Sequence, residues 1–236
     1  MTPHRFRPSG PAELLERAVC VLLDFDGPVC RLFGGSPAAH IAYDMRRYLA
    51  SRGLAADPAA PAAGDDPHRL LAPGRDRDVM AELEHILAVG EEAAAGSAVP
   101  TPGADAFVRA VRDSGRLLAV TTNNAPTAVG IYLKQQGLDD LFDGGVFGRD
   151  PGDPRLMKPA PDCLLRAMDA VGVRPADCLM IGDSPSDVAA ARAAEVPFLG
   201  YARSADRVER LRRARAGTVV VGMAGLVAAA GGLARR

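Results

Sequence analysis

The chain has 236 residues, which suits one domain of ordinary size with an insertion, or two small domains. Its 28 basic and 29 acidic residues give a formal net charge of −1, a balance that argues against a nucleic-acid partner and against an anionic membrane surface. The sequence contains no apolar run of about eighteen residues, so no membrane-spanning helix is expected.

Residues 1–16 are predicted to be a tail outside the core, with a short helix beginning at Pro11. This tail lacks the apolar centre of a secretory signal. The cysteines show neither CxxC spacing nor the spacing of a metal finger, and they are predicted to pack in the core: Cys20, Cys30, Cys163 and Cys178. A reduced, cytoplasmic protein is therefore expected.

The first predicted strand covers residues 19–24 and ends in the sequence Asp24-Phe25-Asp26-Gly27. A short apolar run rich in β-branched residues is typical of a buried strand in a parallel sheet. Two carboxylates at the end of such a strand repel each other and are costly to bury, unless positive charge lies nearby. The sequence therefore predicts a divalent cation and a lysine beside Asp24 and Asp26.

Residues 34–100 are predicted to form a small helical cap inserted after the first strand, and residues 34–99 read as wholly helical. A first helix begins at Ser36-Pro37 and ends at Gly53, and a linker covers residues 54–66. A short helical segment covers His68–Leu71, and a longer helix covers residues 76–92. The α/β core then comprises residues 17–33 and 101–236.

From residue 101 onward, predicted strands and helices alternate. The strands cover residues 116–121, 145–147, 178–181, 196–200 and 218–221. The helices cover residues 104–114, 126–136, 161–171, 186–195, 205–213 and 223–230. Such alternation predicts an α/β fold, with a Rossmann-like doubly wound parallel sheet and helices on both faces.

Polar side chains follow several of these strands, and ligands of open α/β sheets bind outside the carboxyl ends of the strands. The candidate site residues are Asp24, Asp26, Thr122, Asn123, Lys158 and Asp183. Mg²⁺ prefers oxygen ligands, which Asp24, Asp183 and a backbone carbonyl near Asp26 can supply. Thr122, Asn123 and Lys158 are expected to bind a phosphoryl group.

The residue types at this edge point to phosphoryl transfer. Asp24 beside Mg²⁺ and a lysine is a workable nucleophile on phosphorus, which gives an aspartyl phosphate. Asp26 can protonate the leaving oxygen and then deprotonate the hydrolytic water. Lys158 balances the charge of Asp24 and of the phosphoryl group, and the Thr122 hydroxyl holds a phosphoryl oxygen.

These stretches resemble the four motifs of the haloacid dehalogenase superfamily. They are Asp24-Phe25-Asp26-Gly27, Thr122-Asn123, Lys158-Pro159, and Gly182-Asp183 with Asp187 four residues later. The resemblance covers residues 17–33 and 101–225, and the helical insertion is similar to the phosphoglycolate phosphatase-like subfamily. It implies an Asp24 nucleophile, an Asp26 acid/base, and Asp183 as a ligand of Mg²⁺. The family's dehalogenases lack an acid at the position of Asp26, because a leaving halide needs no proton. The presence of Asp26 therefore favours a phosphate ester as the substrate.

One position departs from the family pattern, and one motif has two candidate residues. Pro28 stands where the family usually has Thr or Val, so one N–H donor is lost. Thr121 and Thr122 compete for the second motif, and Thr122 is favoured because Asn123 follows it.

The expected activity is a Mg²⁺-dependent phosphatase acting on a small phosphorylated metabolite. A phosphomutase shares every core residue, and a non-catalytic binding protein of the same fold is a weaker alternative. The role of Asp187, as metal ligand or helix cap, stays open. Some polar residues of the predicted cap could face a substrate, but a surface position is favoured for each of them: His40, Arg46, Arg47 and His85. For the arginines of residues 203–215, a solvated helix face is favoured over a basic patch that binds a partner.

Overall fold

The computed structural model describes residues 10–35, 38–54 and 66–236. The tail before residue 10, the helix start at Ser36-Pro37 and linker residues 55–65 lie outside these ranges. The described strands are β1 (Cys20–Leu23), β2 (Cys30–Arg31), β3 (Val99–Pro100), β4 (Leu117–Thr121), β5 (Val146–Phe147), β6 (Cys178–Gly182), β7 (Phe198–Ala202) and β8 (Thr218–Val221).

The described α-helices lie close to their predicted positions. They are α1 (Pro11–Arg17), α2 (Ala38–Ser51), α3 (Arg77–Ala95), α4 (Ala104–Asp113), α5 (Pro126–Gln136), α6 (Asp162–Val171), α7 (Pro185–Ala193), α8 (Ala205–Arg213) and α9 (Ala224–Gly231). A 3₁₀ helix covers Pro67–Leu70. The predicted strand at 196–200 is wrong by two residues, because the Val196 N–H donates to the Ala191 carbonyl oxygen at the end of α7.

Six strands form one parallel sheet in the order β5-β4-β1-β6-β7-β8. The chain winds outward from β1 in one direction through β4 and β5, and in the other direction through β6, β7 and β8. This is the doubly wound order, so the predicted fold class is confirmed. The winding reverses beside β1, and the carboxyl ends of β1, β4 and β6 therefore border the crevice where such folds bind ligands.

Strand β1 is apolar throughout because both faces of the sheet are covered. Val21 and Leu23 point into a core formed with α1, α4, α5 and α9, whereas Cys20 and Leu22 point into a second core formed with α6 and α7. All four residues are 0% exposed. Burial of each Val or Leu side chain contributes about 1.5–3 kcal/mol, which fixes the position of the loop that follows β1.

The inserted helices α2 and α3 form a smaller core of their own, together with the 3₁₀ helix. Met45 and Leu49 of α2 pack on Leu83 and Leu87 of α3, and Leu70 completes this cluster. Helix α3 also packs along α5 of the α/β unit. The inserted helices are therefore held on the α/β unit by a helix–helix contact as well as by the connecting chain.

The connections to the inserted helices form a two-stranded antiparallel ribbon of β2 and β3. Val99 therefore belongs to a strand, and the prediction that residues 34–99 are wholly helical is wrong at this position. A strand of two residues is too short for the alternation that identifies strands in a sequence. The ribbon lies outside the six-stranded sheet.

All four cysteines are buried, as predicted. Among the helices of residues 10–35, 38–54 and 66–236, none combines the length and the hydropathy that a bilayer span requires.

Candidate active site

The loop after β1 presents two carboxyl groups at the edge of the sheet. The Asp24 N–H donates to the Ile181 carbonyl oxygen at 2.9 Å, so the hydrogen-bond ladder with β6 extends through Asp24. Asp24 is 7% exposed. The Asp26 carboxylate accepts from the Leu32 N–H at 2.9 Å, which fixes its direction after the turn.

Gly27 allows the loop after β1 to approach the loop after β6. Its φ is +121°, and a Cβ atom at this position would lie 2.6 Å from Cγ of Asp183. The Gly27 carbonyl oxygen accepts from the Thr101 hydroxyl at 2.6 Å. Pro28 follows within the turn, where the missing N–H is tolerated because Val29 and Cys30 donate to the Phe25 carbonyl oxygen.

Replacing Gly27 with Ala is expected to reduce turnover about 100-fold, since the new methyl group must displace the Asp183 carboxylate and a shift of about 1 Å in a catalytic group costs that much. Steady-state kinetics with an aryl phosphate measure this loss. Gly137→Ala is the matched control, because Gly137 also has positive φ, +61°, but a Cβ there meets nothing within 4 Å. Equal activity in the two variants would contradict the assigned contact.

Lys158 places its ammonium group between the loops. Its Nζ donates to Asp24 Oδ1 at 2.8 Å, to Asp187 Oδ1 at 2.6 Å and to the Thr121 carbonyl oxygen at 3.0 Å. All three ammonium hydrogens are therefore used, and the side chain is only 3% exposed. The contact between Lys158 and Asp24 joins the first and third sequence motifs.

Asn123 holds the Lys158 backbone. Its side-chain Oδ1 accepts from the Lys158 N–H at 2.7 Å, and its Nδ2 donates to the Lys158 carbonyl oxygen at 3.0 Å. The amide therefore fixes the loop that carries the ammonium group. A direct contact between Asn123 and phosphate remains a prediction.

The two threonines after β4 point in different directions. The Thr121 hydroxyl donates to Sδ of Met180 at 3.3 Å in the interior, whereas Thr122 lines the same cavity as Asp24. The Thr122 hydroxyl accepts from the Asn124 N–H at 3.1 Å and donates to the Asn124 side-chain oxygen at 2.9 Å. The geometry therefore favours Thr122, as the sequence did.

Asp187 is fully buried and serves as both helix cap and ion-pair partner. Its Oδ2 accepts from the Ser184 hydroxyl at 2.7 Å and from the Ser184 N–H at 3.0 Å, which completes a capping box at the start of α7. Its Oδ1 accepts from Lys158. The sequence left these roles open, and the structure combines capping with charge balance.

Three carboxylates converge in a way that fits a divalent cation. Asp24, Asp183 and Asp187 each offer one oxygen, and these atoms lie within 4.8 Å of one another. Hard oxygen donors of this kind suit Mg²⁺. The Asp26 carboxylate is not part of this group and instead accepts from Leu32. The predicted metal contribution of a backbone carbonyl near Asp26 remains a prediction.

The pKa values of Asp24 and Asp183 are both raised, which indicates that their charged forms are not fully compensated in the buried site. Burial, and then the charge of Asp187, raise the pKa of Asp24 well above its usual range, although Lys158 opposes the shift. The same two causes raise the pKa of Asp183 to about 7, opposed by Arg207. A divalent cation would supply the missing charge. Burial also raises the pKa of Asp26, despite its bond to the Leu32 N–H, which suits a proton donor.

Arg207 of α8 reaches this site. Its Nη1 donates to Asp183 Oδ2 at 2.5 Å. The sequence favours a solvated face for the arginines of residues 203–215, and this interpretation is wrong for Arg207. The partner lies 24 residues away in the chain, so no local pattern indicates the contact.

The converging loops line a cavity of about 440 Å³ that the inserted helices help to enclose. Ala38, Pro67 and His68 line it from the insertion, and Phe33 lines it from the residue that precedes the insertion. The cap residues that were weighed as substrate contacts are not among the described residues that line this cavity: His40, Arg46, Arg47 and His85. His40, Arg47 and His85 are exposed, as favoured. No pattern in the sequence indicates that His68 lines this cavity.

Behind the cavity, a buried polar network joins α3 to the α/β unit. Glu91 of α3, 0% exposed, accepts from His68 at 3.1 Å, from the Asn124 side chain at 2.8 Å and from the Ala125 N–H at 2.9 Å. Arg149 donates to Glu91 at 2.7 Å and to the Asn123 carbonyl oxygen at 3.1 Å. This network orients the loop that carries Thr122, and no motif in the sequence indicates it.

The His68–Glu91 contact is expected to make stability depend on pH. Burial alone would lower the pKa of His68, but hydrogen bonds to Asp66 and Glu91 raise it to about 9. The stabilisation is therefore complete below about pH 6.5 and is lost as the pH rises through about 9. Urea unfolding from pH 6.5 to 10 should show a decline that is absent in His68→Gln, by roughly 3 kcal/mol at most.

His85→Gln is the control for this experiment, since His85 is an exposed histidine of the same helix-rich region. It should unfold with the pH dependence of the unaltered chain. Parallel stability curves for His68→Gln and the unaltered chain would show that the imidazolium contributes nothing to the fold.

Comparisons with known proteins identify the family and the fold of this chain. A sequence model of the haloacid dehalogenase-like hydrolases matches residues 20–195. The phosphoglycolate phosphatase of Rhodospirillum rubrum is 39% identical over 135 residues, which cover 54% of this chain and 54% of that protein. The phosphoglycolate phosphatase of Neisseria meningitidis is 30% identical over 189 residues, which cover 76% of this chain and 78% of that protein. The chain thus spans about half the length of the first relative and more than three quarters of the second.

The fold has a solved counterpart in a crystal structure described as a predicted phosphatase from Clostridium acetobutylicum. The TM-score is 0.68 at 21% identity, and the match covers 89% of this chain and 97% of the other. At this identity the likeness concerns the fold. Because the family match extends over most of the chain, this protein belongs to the haloacid dehalogenase-like hydrolases.

Proposed function

We propose that the chain is a Mg²⁺-dependent phosphatase that hydrolyses a small phosphorylated metabolite through an aspartyl phosphate on Asp24. One observation carries the proposal: the Lys158 ammonium lies 2.8 Å from Asp24, and both face two further buried acids, Asp183 and Asp187. Burying such a cluster costs free energy, and its charges can stabilise the negative charge of a substrate in a confined site.

Asp24 and Asp183 would hold the cation, with a backbone carbonyl near Asp26 as a further ligand. Bound there, Mg²⁺ would shield the phosphate charge and orient the phosphoryl group. Asp187 is the third acid within reach, but its two oxygens already serve Lys158 and Ser184. Asp187 therefore contributes charge and position in this proposal.

The chemistry proceeds through two displacements at phosphorus. An Asp24 carboxylate oxygen attacks phosphorus, the bond to the ester oxygen breaks, and Asp26 gives that oxygen a proton. Asp26 then takes a proton from water, whose oxygen attacks phosphorus and releases Asp24 and inorganic phosphate. The Thr122 hydroxyl and Lys158 stabilise the charge on the phosphoryl oxygens.

The inserted residues 34–100 act as a cap in this proposal. They enclose part of a cavity of about 440 Å³, which suits a small substrate and leaves no room for a folded protein. The relatives from Rhodospirillum rubrum and Neisseria meningitidis carry the name phosphoglycolate phosphatase, so phosphoglycolate is the first substrate to test.

Phosphate release from phosphoglycolate, and from a panel of phosphorylated sugars and acids, tests the function. We expect turnover with Mg²⁺ and none with EDTA. Product analysis separates a phosphatase from a phosphomutase, since a mutase yields an isomer of the substrate in place of inorganic phosphate. Lack of turnover across the panel and on an aryl phosphate, in folded protein with Mg²⁺, would overturn the proposal.

A further inference from the structure

The antiparallel ribbon at the base of the inserted helices contacts the loop that follows β1. Cys30 of β2 pairs with Pro100 of β3, and Thr101 follows Pro100 directly. The Thr101 hydroxyl donates to the Gly27 carbonyl oxygen at 2.6 Å, across 74 residues of sequence. Thr101 is only 5% exposed, so this hydrogen bond lies in the interior. The chain that returns from the insertion is thus bonded to the first sequence motif.

This contact completes a set of hydrogen bonds on both sides of Gly27. The Gly27 N–H donates to the Cys30 carbonyl oxygen at 2.6 Å, so β2 holds the peptide that precedes Gly27. The next peptide leads into Pro28, which has no N–H, and its carbonyl oxygen is therefore the group through which it can be held. Thr101 supplies that bond, and the Thr101 N–H donates to the Val29 carbonyl oxygen at 3.1 Å. Thr101 thus fixes the plane of the Gly27–Pro28 peptide.

The direction of this peptide matters because Gly27 lies against a predicted metal ligand. A Cβ atom on Gly27 would lie 2.6 Å from Cγ of Asp183, so the loops after β1 and β6 are in direct contact at this point. Asp26 is the neighbour of Gly27 in the chain. A shift of the Gly27–Pro28 peptide would therefore change the separation between the Asp26 and Asp183 carboxyl groups.

Thr101 does not itself line the active-site cavity, so it can affect the reaction only through the loop that it holds. A buried threonine that only stabilises the fold would affect every substrate alike. A threonine that positions an acid would affect each substrate according to how much its leaving oxygen needs a proton. The two roles therefore differ in a measurable way.

We propose that Thr101 is a positioning residue, whose hydroxyl fixes the Gly27–Pro28 peptide and thereby orients Asp26 toward the leaving oxygen of the substrate. This inference rests on the proposed phosphatase activity, in which Asp26 is the proton donor. The Leu32 N–H holds the Asp26 side chain at 2.9 Å, while Thr101 holds the backbone that follows Asp26. The two donors belong to the chain segments that precede and follow the insertion.

The test compares two aryl phosphates of similar shape in the presence of Mg²⁺: 4-nitrophenyl phosphate and phenyl phosphate. Phenolate is the more basic leaving group, so its release depends more on a proton from Asp26. Thr101→Val removes the hydroxyl and nearly keeps the shape of the side chain. We expect its kcat/KM to fall about 100-fold with phenyl phosphate and about tenfold with 4-nitrophenyl phosphate. Thr101→Ser should restore both values to within about threefold of the unaltered chain.

Thr127→Val is the matched control, since Thr127 is exposed at the start of α5 and does not line the active-site cavity. Thr101→Ala is assayed beside Thr101→Val, and a thermal melt of each variant shows whether it is folded. Equal losses on the two substrates, unchanged activity, failure of Thr101→Ser to restore turnover, or unfolding of both variants that lack the hydroxyl would overturn this inference alone. Lack of turnover by the unaltered chain would overturn the proposed function, and this inference with it.

Discussion

Asp24→Asn is expected to lower phosphate release by at least about 10⁴-fold, because an amide is a very poor nucleophile at phosphorus while its size leaves the site intact. The Oδ1 atom of the side chain can still accept from Lys158, so the cavity should keep its shape. Burial and the charge of Asp187 raise the pKa of Asp24, which shows that its charge is costly in the fold. The variant should therefore melt at the same temperature as the unaltered chain or above it.

Steady-state release of phosphate with Mg²⁺, together with a thermal melt of each protein, checks both halves of this expectation. Asp140→Asn is the matched control, because Asp140 is an exposed carboxylate after α5 that does not line the active-site cavity. Activity of the Asp24 variant within tenfold of the unaltered chain would exclude Asp24 as the nucleophile. A variant that unfolds would instead reveal a structural role for the Asp24 charge.

The site motifs could be predicted because each consists of neighbouring residues, and three of the four follow a strand directly, whereas Lys158-Pro159 lies in the loop between β5 and α6. The fold then needs only the parallel order of β4, β1 and β6 to bring the motifs together. A buried apolar strand and a following acid are local features, and the sequence shows them directly. The register of β7 was harder to predict, because Val196 is apolar but its N–H bonds to the end of α7.

The polar network behind the site could not be predicted in this way. His68 and Glu91 lie 23 residues apart in the chain, and Glu91 and Arg149 lie 58 residues apart. Each residue alone is indistinguishable from a surface charge on an amphipathic helix or loop. Only the packing of α3 on α5 buries Glu91 beside its partners, so the pairing depends on tertiary structure and has no periodic signal.

The difference between local sequence features and tertiary contacts also explains why the roles of Asn123 and Asp187 are clear only from the structure. Both follow strands at the correct edge, so the sequence places them near the site. Their partners, however, lie on other loops: Asn123 bonds to the Lys158 backbone, and Asp187 bonds to the Lys158 ammonium. The sequence thus identifies the side chains of the site, while the division into reacting and positioning groups depends on the hydrogen bonds.

Lys158→Met should remove both activity and stability, because one ammonium group serves two buried carboxylates. The change leaves Asp24 and Asp187 without the bonds of 2.8 Å and 2.6 Å that now balance them. Loss of one partner of a buried ion pair typically costs about 3–5 kcal/mol. Turnover should fall about 10³-fold or more, since the phosphoryl group loses a cationic contact.

The cost of Lys158→Met should grow with pH. Lys158 opposes the rise in the pKa of Asp24, so its removal raises that pKa further. The pKa of Asp183, about 7, is also lowered by Lys158, so it rises in the variant too. The two proteins lose stability in parallel until a carboxyl group ionises in the unaltered fold but not in the variant, which for Asp183 begins near pH 7. Urea unfolding in EDTA should therefore separate the variant from the unaltered chain more at pH 8 than at pH 5. Lys134→Met, at an exposed position of α5, should show no such separation, and an equal gap at both pH values would mean that Lys158 acts through packing alone.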